Sequence, residues 1–178
     1  FLSGGPQNEV DLSVSQSGNL VGPRVCIHER TGHSWAVDTQ PLFDEAKRLG
    51  VGFHLGFAEL AEVDGQTRHF NSSILVDPDG VEIGRFRKIH LPGYAELQPG
   101  QPFQNLEKLY FEVGDLGFGA WRAFGGVFGL LICNDRRWPE SFRVLGLQGV
   151  EMVLLGYNSP IHNPANPGSD HLANFHNM

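Results

Sequence analysis

The sequence predicts a layered α/β fold, an α+β arrangement of sheets and helices. Three observations carry it. An amphipathic helical stretch leads into an apolar strand. A hairpin with an Asp-Pro-Asp-Gly turn comes next. Further on, an apolar strand, a helix and a second apolar strand run in succession. "PLFDEAKRLG" puts Leu42, Phe43, Ala46 and Leu49 on one helical face and ends at Gly50, a residue suited to the position just past a helix. "VGFHLGFAEL" reads as a buried strand from Val51 to Leu60. "HFNSSILVDPDGVEIGRFRKIHL" reads as a hairpin with strands Phe70 to Val76 and Val81 to Leu91. Pro92 to Gly119 is rich in Pro and Gly and predicts loops, with a helical turn around Gln104 to Tyr110. "GGVFGLLIC" predicts a short apolar strand. "WPESFRVLGLQG" predicts a helix with Pro139 in its first position, Glu140 near its positive end and Gly146 or Gly149 at its stop. "VEMVLLGYN" is another apolar strand, so the last three elements form a βαβ-like unit whose strand directions stay open. The tail "SPIHNPANPGSD" reads as a loop, and "HLANFHNM" as the start of a helix. Residues 1–33 sustain no period and read as irregular, which leaves one domain over residues 34–178.

Composition narrows the function classes. The chain has 178 residues, 40% of them hydrophobic, enough for one domain with a core. A formal net charge of −7 argues against a nucleic-acid or anionic-membrane partner. No apolar run approaches the roughly 18 residues that span a bilayer. The opening "FLSGGPQNEVDLSV" lacks the basic and apolar regions of a signal peptide, and two cysteines make no disulfide framework. A cytoplasmic setting is the expectation.

The chemistry centres on "LLICNDRRWPES". Cys133 ends an apolar strand about five residues before a helix, at a strand-to-helix elbow that projects a side chain from the sheet. The helix N-terminus, Arg136 and Arg137 all favour thiolate over thiol, the form that attacks carbonyl carbon. Equally, Cys133 fits a small packed residue closing the strand. Asp135 fits a helix cap, with the two arginines in water or binding a substrate carboxylate in bidentate fashion. Lys88 in "GRFRKIHLPG" is either an edge-strand lysine in water or a cation aimed at an oxyanion, and His90 is either a substrate-facing donor or a strand residue. His162, His171 and His176 match no structural zinc spacing, so no metal is expected.

"GRFRKIHLPG", "FQNLEKLYFEVGDLGF", "ICNDRRWPESFRVLGLQGVE" and "GYNSPIHNP", in that order, closely resemble the N-carbamoyl-D-amino acid amidohydrolases of the carbon–nitrogen hydrolase (nitrilase) superfamily. The resemblance runs from about Pro41 to Met178. It implies an α-β-β-α sandwich, here a partial one, with Cys133 as nucleophile, Lys88 at the oxyanion and Glu107 as a supporting glutamate. It places Asn134, Arg136, Arg137 and Asn158 at substrate-contact positions, with Ser159 where the family usually has Thr. The implied reaction hydrolyses an N-carbamoyl amino acid to amino acid, carbon dioxide and ammonia with no metal or organic cofactor, in a homodimer or homotetramer. A related amidase with another ureido or amide substrate and a non-catalytic relative of the fold are the alternatives. The family's general-base glutamate stands in an "FPE" context that this sequence lacks. Neither Glu9 nor Glu29 has that context, and Asn105 stands where the family often has His. The expectation is a domain shortened at both ends.

Overall fold

A computed structural model describes residues 26–28, 39–100 and 104–157. The first helix, α1 (Gln40–Leu49), has Pro41 in its first turn, where a missing N–H removes no helical bond. It stops at Gly50, whose φ of 65° lets its N–H reach back to the carbonyls of Ala46 and Lys47. Its buried stripe is narrower than the spacing predicts. Phe43 and Ala46 are buried, but Leu42 and Leu49 are exposed. At 100° per residue those two leucines lie at the margin of the face that Phe43 and Ala46 define.

The first sheet has four strands in the order β1-β2-β3-β4. Strands β2 (Phe53–Val63) and β3 (Gln66–Val76) pair along their whole length about Asp64 and Gly65, both with positive φ as a two-residue hairpin turn requires. The sequence pattern predicts one strand ending at Leu60 and the next beginning at Phe70. Polar residues at Thr67, Arg68 and His69 hide the continuation. Strand β4 (Glu82–Arg87) follows a turn in which the Asp77 carboxylate accepts from the N–H groups of Asp79 and Val81, both at 2.9 Å. It ends at Arg87, short of the predicted Leu91. Strand β1 (Cys26–His28) adds in parallel to β2. It lies inside the stretch read as irregular, because three residues are too short to show a period.

The second sheet runs β5-β6-β7: Ala120–Ala123, Gly126–Ile132 and Met152–Gly156. β6 and β7 are parallel, joined through helix α3 (Pro139–Leu147), which settles the directions the sequence left open. β5 was not expected, and its four residues are again too few to read. The short helix α2 (Glu107–Tyr110) falls within the predicted turn.

Strand alternation sorts the core into layers. Ile74 and Val76 of β3 pack with Phe43 of α1 on the outer face of the first sheet. Leu75 of β3 and Phe86 of β4 point the other way and pack in one cluster with Leu130 and Ile132 of β6. Leu145 of α3 rests against Gly129 from beyond. The order is therefore helix, sheet, sheet, helix, the predicted α-β-β-α sandwich. The sheets come close at Gly84, where an added Cβ would sit 2.5 Å from the Trp121 ring. No helix among the described residues is long and apolar enough to cross a membrane.

Candidate active site

β6 delivers Cys133 to the end of the second sheet, and the chain then turns sharply. Residues Cys133–Arg137 form a single 3₁₀ stretch ahead of α3. Cys133 itself has a φ of 45°, left-handed backbone that disfavours a side chain by about 1–2 kcal/mol. Such a conformation persists only where its surroundings over-determine it. The Arg136 guanidinium donates to the Cys133 carbonyl at 2.7 Å and lies 3.8 Å from its Sγ. The same guanidinium stacks 4.5 Å over the Tyr157 ring. Cys133, Asp135 and Arg136 are buried.

Lys88 follows the last residue of β4, with its side chain sealed from solvent. Its ammonium donates to both Glu107 carboxylate oxygens, at 2.8 and 2.6 Å. The exposed edge lysine is thereby excluded. Glu107 opens α2, and Asn71 Nδ2 lies 3.5 Å from its Oε1. The Lys88 backbone is held on both sides: its N–H donates to the Asn71 carbonyl at 2.8 Å, and its carbonyl accepts from Gly114 at 2.9 Å. A Cβ at Gly114 would lie 2.0 Å from the Arg87 carbonyl, so no other residue fits without moving that segment.

The segment beyond Lys88 meets the elbow. Ile89 packs against the cluster containing Cys133. Asn134 Nδ2 donates to the His90 carbonyl at 3.0 Å. His90 is not a strand residue: it lies past the end of β4, with Nδ1 2.8 Å from the Asp135 carboxylate and its ring stacked on Trp138 at 5.0 Å between centroids. A carboxylate beside Nδ1 favours the proton on that nitrogen. His90, Asn134, Trp138 and Phe111 help line a cleft of about 610 Å³; Cys133, Lys88 and Glu107 are not among its lining residues.

The arrangement brings together Cys133, Lys88, Glu107, His90, Asn134 and Arg136 around one end of the sandwich. It separates the two arginines. Arg136 turns inward onto Cys133, whereas Arg137 is exposed. A 3₁₀ turn holds three residues, so neighbours point about 120° apart and cannot form a side-by-side clamp. Asn158, the three C-terminal histidines, Glu9 and Glu29 lie outside the described residues. Asp135 and Asn71 are two residues of the site that the sequence does not point to. Asp135 carries a signal in its position two residues after the cysteine, but one that equally fits a helix cap; Asn71 carries none. Among the described residues no group of three or more His, Cys, Asp or Glu is placed to hold a metal ion.

The carbon-nitrogen hydrolase family model matches residues 25–178. The chain belongs to the carbon–nitrogen hydrolase family. The match starts ahead of β1, which joins that strand to the domain. An N-carbamoylputrescine amidase of Solanum tuberosum is 36% identical over 123 residues, 69% of this chain and 36% of the relative. A citrullinase of Francisella tularensis is 33% identical over 138 residues, 76% of this chain and 45% of the relative. A crystal structure of a carbon–nitrogen hydrolase from Helicobacter pylori G27 superposes with a TM-score of 0.58 at 26% identity, covering 76% of this chain and 44% of that one. The chain thus spans less than half the length of these carbon–nitrogen hydrolase relatives.

Proposed function

We infer that this chain carries the cysteine-bearing part of an amidohydrolase that cleaves a carbamoyl or amide C–N bond of a small molecule. One observation carries the reading. A cysteine on a left-handed elbow and a sealed lysine gripped by a glutamate stand at neighbouring strand ends of two packed sheets. Cys133 attacks the carbamoyl carbon, and charge develops on the carbamoyl oxygen. Lys88, held in place by Glu107, supplies a cation for that oxygen. The thiol proton passes to the departing nitrogen and ammonia leaves; a water then hydrolyses the remaining thioester-like adduct, and the released carbamate breaks down to amine and carbon dioxide.

The finer reading is an N-carbamoyl amino acid substrate, with Asn134 and Arg137 toward its polar groups. Arg136 is already engaged at the Cys133 carbonyl, so the α-carboxylate falls to Arg137. The runner-up is a carbamoyl amine, favoured by the similarity to a protein named N-carbamoylputrescine amidase. A homodimer or homotetramer belongs to the same reading. Ammonia release from N-carbamoyl amino acids and from carbamoyl amines without a carboxylate tests it. Cys133→Ala is expected to abolish release in every case, and release at the parental rate would refute the nucleophile. Arg137→Ala is expected to raise KM for carboxylate substrates alone; an equal effect on both sets would favour the carbamoyl amine.

A further inference from the structure

Asp135 is a fully buried carboxylate, and the side chain it meets among the described residues is that of His90. A charge so placed is unfavourable unless donors surround it. Here three do. One carboxylate oxygen accepts from the Ile132 N–H at 3.1 Å, on the residue immediately before the nucleophile. The other accepts from the His90 N–H at 2.9 Å and lies 2.8 Å from His90 Nδ1. Ile132 closes a strand of the second sheet, and His90 sits two residues past Lys88, beyond the end of the first. The bond from Asn134 to the His90 carbonyl is a second link between the same two segments. One side chain therefore straddles Cys133, fastening the residue before it, and binds the segment that presents Lys88, 45 positions away.

We propose that Asp135 is a positioning residue that fixes the Cys133 elbow against the Lys88 segment. The proposal rests on the reading of Cys133 and Lys88 as the working pair. Asp135 touches no reacting atom; it acts through the backbone of Ile132 and His90. It also favours the left-handed Cys133 backbone, because a relaxed elbow would carry the Ile132 N–H away from the carboxylate.

Asp135→Asn and Asp135→Ala in the full chain test this by two independent readouts. Amide hydrogen exchange needs no substrate. Exchange at Ile132 and at His90 is expected to accelerate together, by about tenfold or more, since each loses a hydrogen bond to a buried charge. With a carbamoyl substrate, kcat per titratable Cys133 thiol is expected to fall by about 10²-fold in Asp135→Ala with little change in KM. Asp135→Asn, which keeps the shape and one acceptor, is expected to lose less, and it serves if the alanine variant does not fold. A purely structural role would instead lower the number of titratable sites and leave kcat per site unchanged, and that result overturns the proposal. Undisturbed protection at either amide overturns it as well. If the parent chain releases ammonia from no carbamoyl or amide substrate, the amidase reading fails, and the exchange measurement alone decides the brace.

Discussion

A lysine ammonium shut away from water and held by both oxygens of one glutamate is a pair that neither member can leave alone. Removing one partner of a buried pair leaves an uncompensated charge and destabilises by about 3–5 kcal/mol. Lys88→Met and Glu107→Gln are each expected to show that loss in urea unfolding, and the double variant Lys88→Met/Glu107→Leu is expected to be more stable than either. Additive losses would mean the two side chains do not depend on each other. Cys133 allows a finer test. Cys133→Ala keeps a Cβ on left-handed backbone, and Cys133→Gly removes it. The glycine variant is expected to be more stable by about 1 kcal/mol, the steric term for that region. Equal stability would place no strain at the elbow. At this scale the sequence was informative wherever a long motif surrounded the residue. Cys133, Lys88 and Glu107 could be named from "ICNDRRWPE", "GRFRKIHLPG" and "LEKLYFEVGD". The division of labour between Arg136 and Arg137 could not, since it depends on the pitch of a turn only five residues long.

Among the elements, the β2-β3-β4 sheet has an outer face of two characters. Near α1 it is apolar, with Phe57, Ile74 and Val76. Further along, the buried Glu59 bonds Arg85 at 2.6 Å and Arg87 at 2.7 Å, and the Ser72 hydroxyl donates to it as well. Burial pushes the Glu59 carboxyl up, but the bonds from Arg87 and Ser72 and the charges of Arg85 and Arg87 together hold it below its ordinary value. A carboxyl depressed in the fold adds stability above its unfolded value, and that stability is lost as pH falls through the folded one. The urea midpoint is expected to decline as pH drops below about 4.5, the ordinary value. Glu59→Gln is expected to be less stable at pH 7 and flatter in this range, and an unchanged slope would remove Glu59 as the cause. None of this network was legible. "GFAELAEV" reads as an apolar strand with two stray acids, and the partners of Glu59 lie 13 to 28 positions away. The βαβ-like unit was legible because each of its strands is a continuous apolar run and its helix has Pro139 at the start.

The whole molecule depends on how closely its two sheets approach. Gly84 lies against the Trp121 ring with no room for a methyl group. Gly84→Ala is expected to destabilise by about 1–3 kcal/mol, the usual range for overpacking. Adding Trp121→Ala is expected to recover part of the loss, a coupling that a double-mutant cycle on thermal unfolding reads directly. Full additivity would separate the glycine from the ring.

The same architecture gives the proposed pair, Lys88 and Cys133, a history as well as a place. Lys88 rides on hairpins whose strands are neighbours in sequence, and such local pairings form early. Cys133 rides on the other sheet, and its parallel partner strand is reached only through α3. The two groups meet when the layers dock, a contact between distant parts of the chain whose closure is slow. Burial of the Cys133 thiol after dilution from denaturant, read by its loss of labelling, should therefore lag behind recovery of strand signal in circular dichroism. The Cys133 elbow would then serve as the chain's own clock for the last event of its folding.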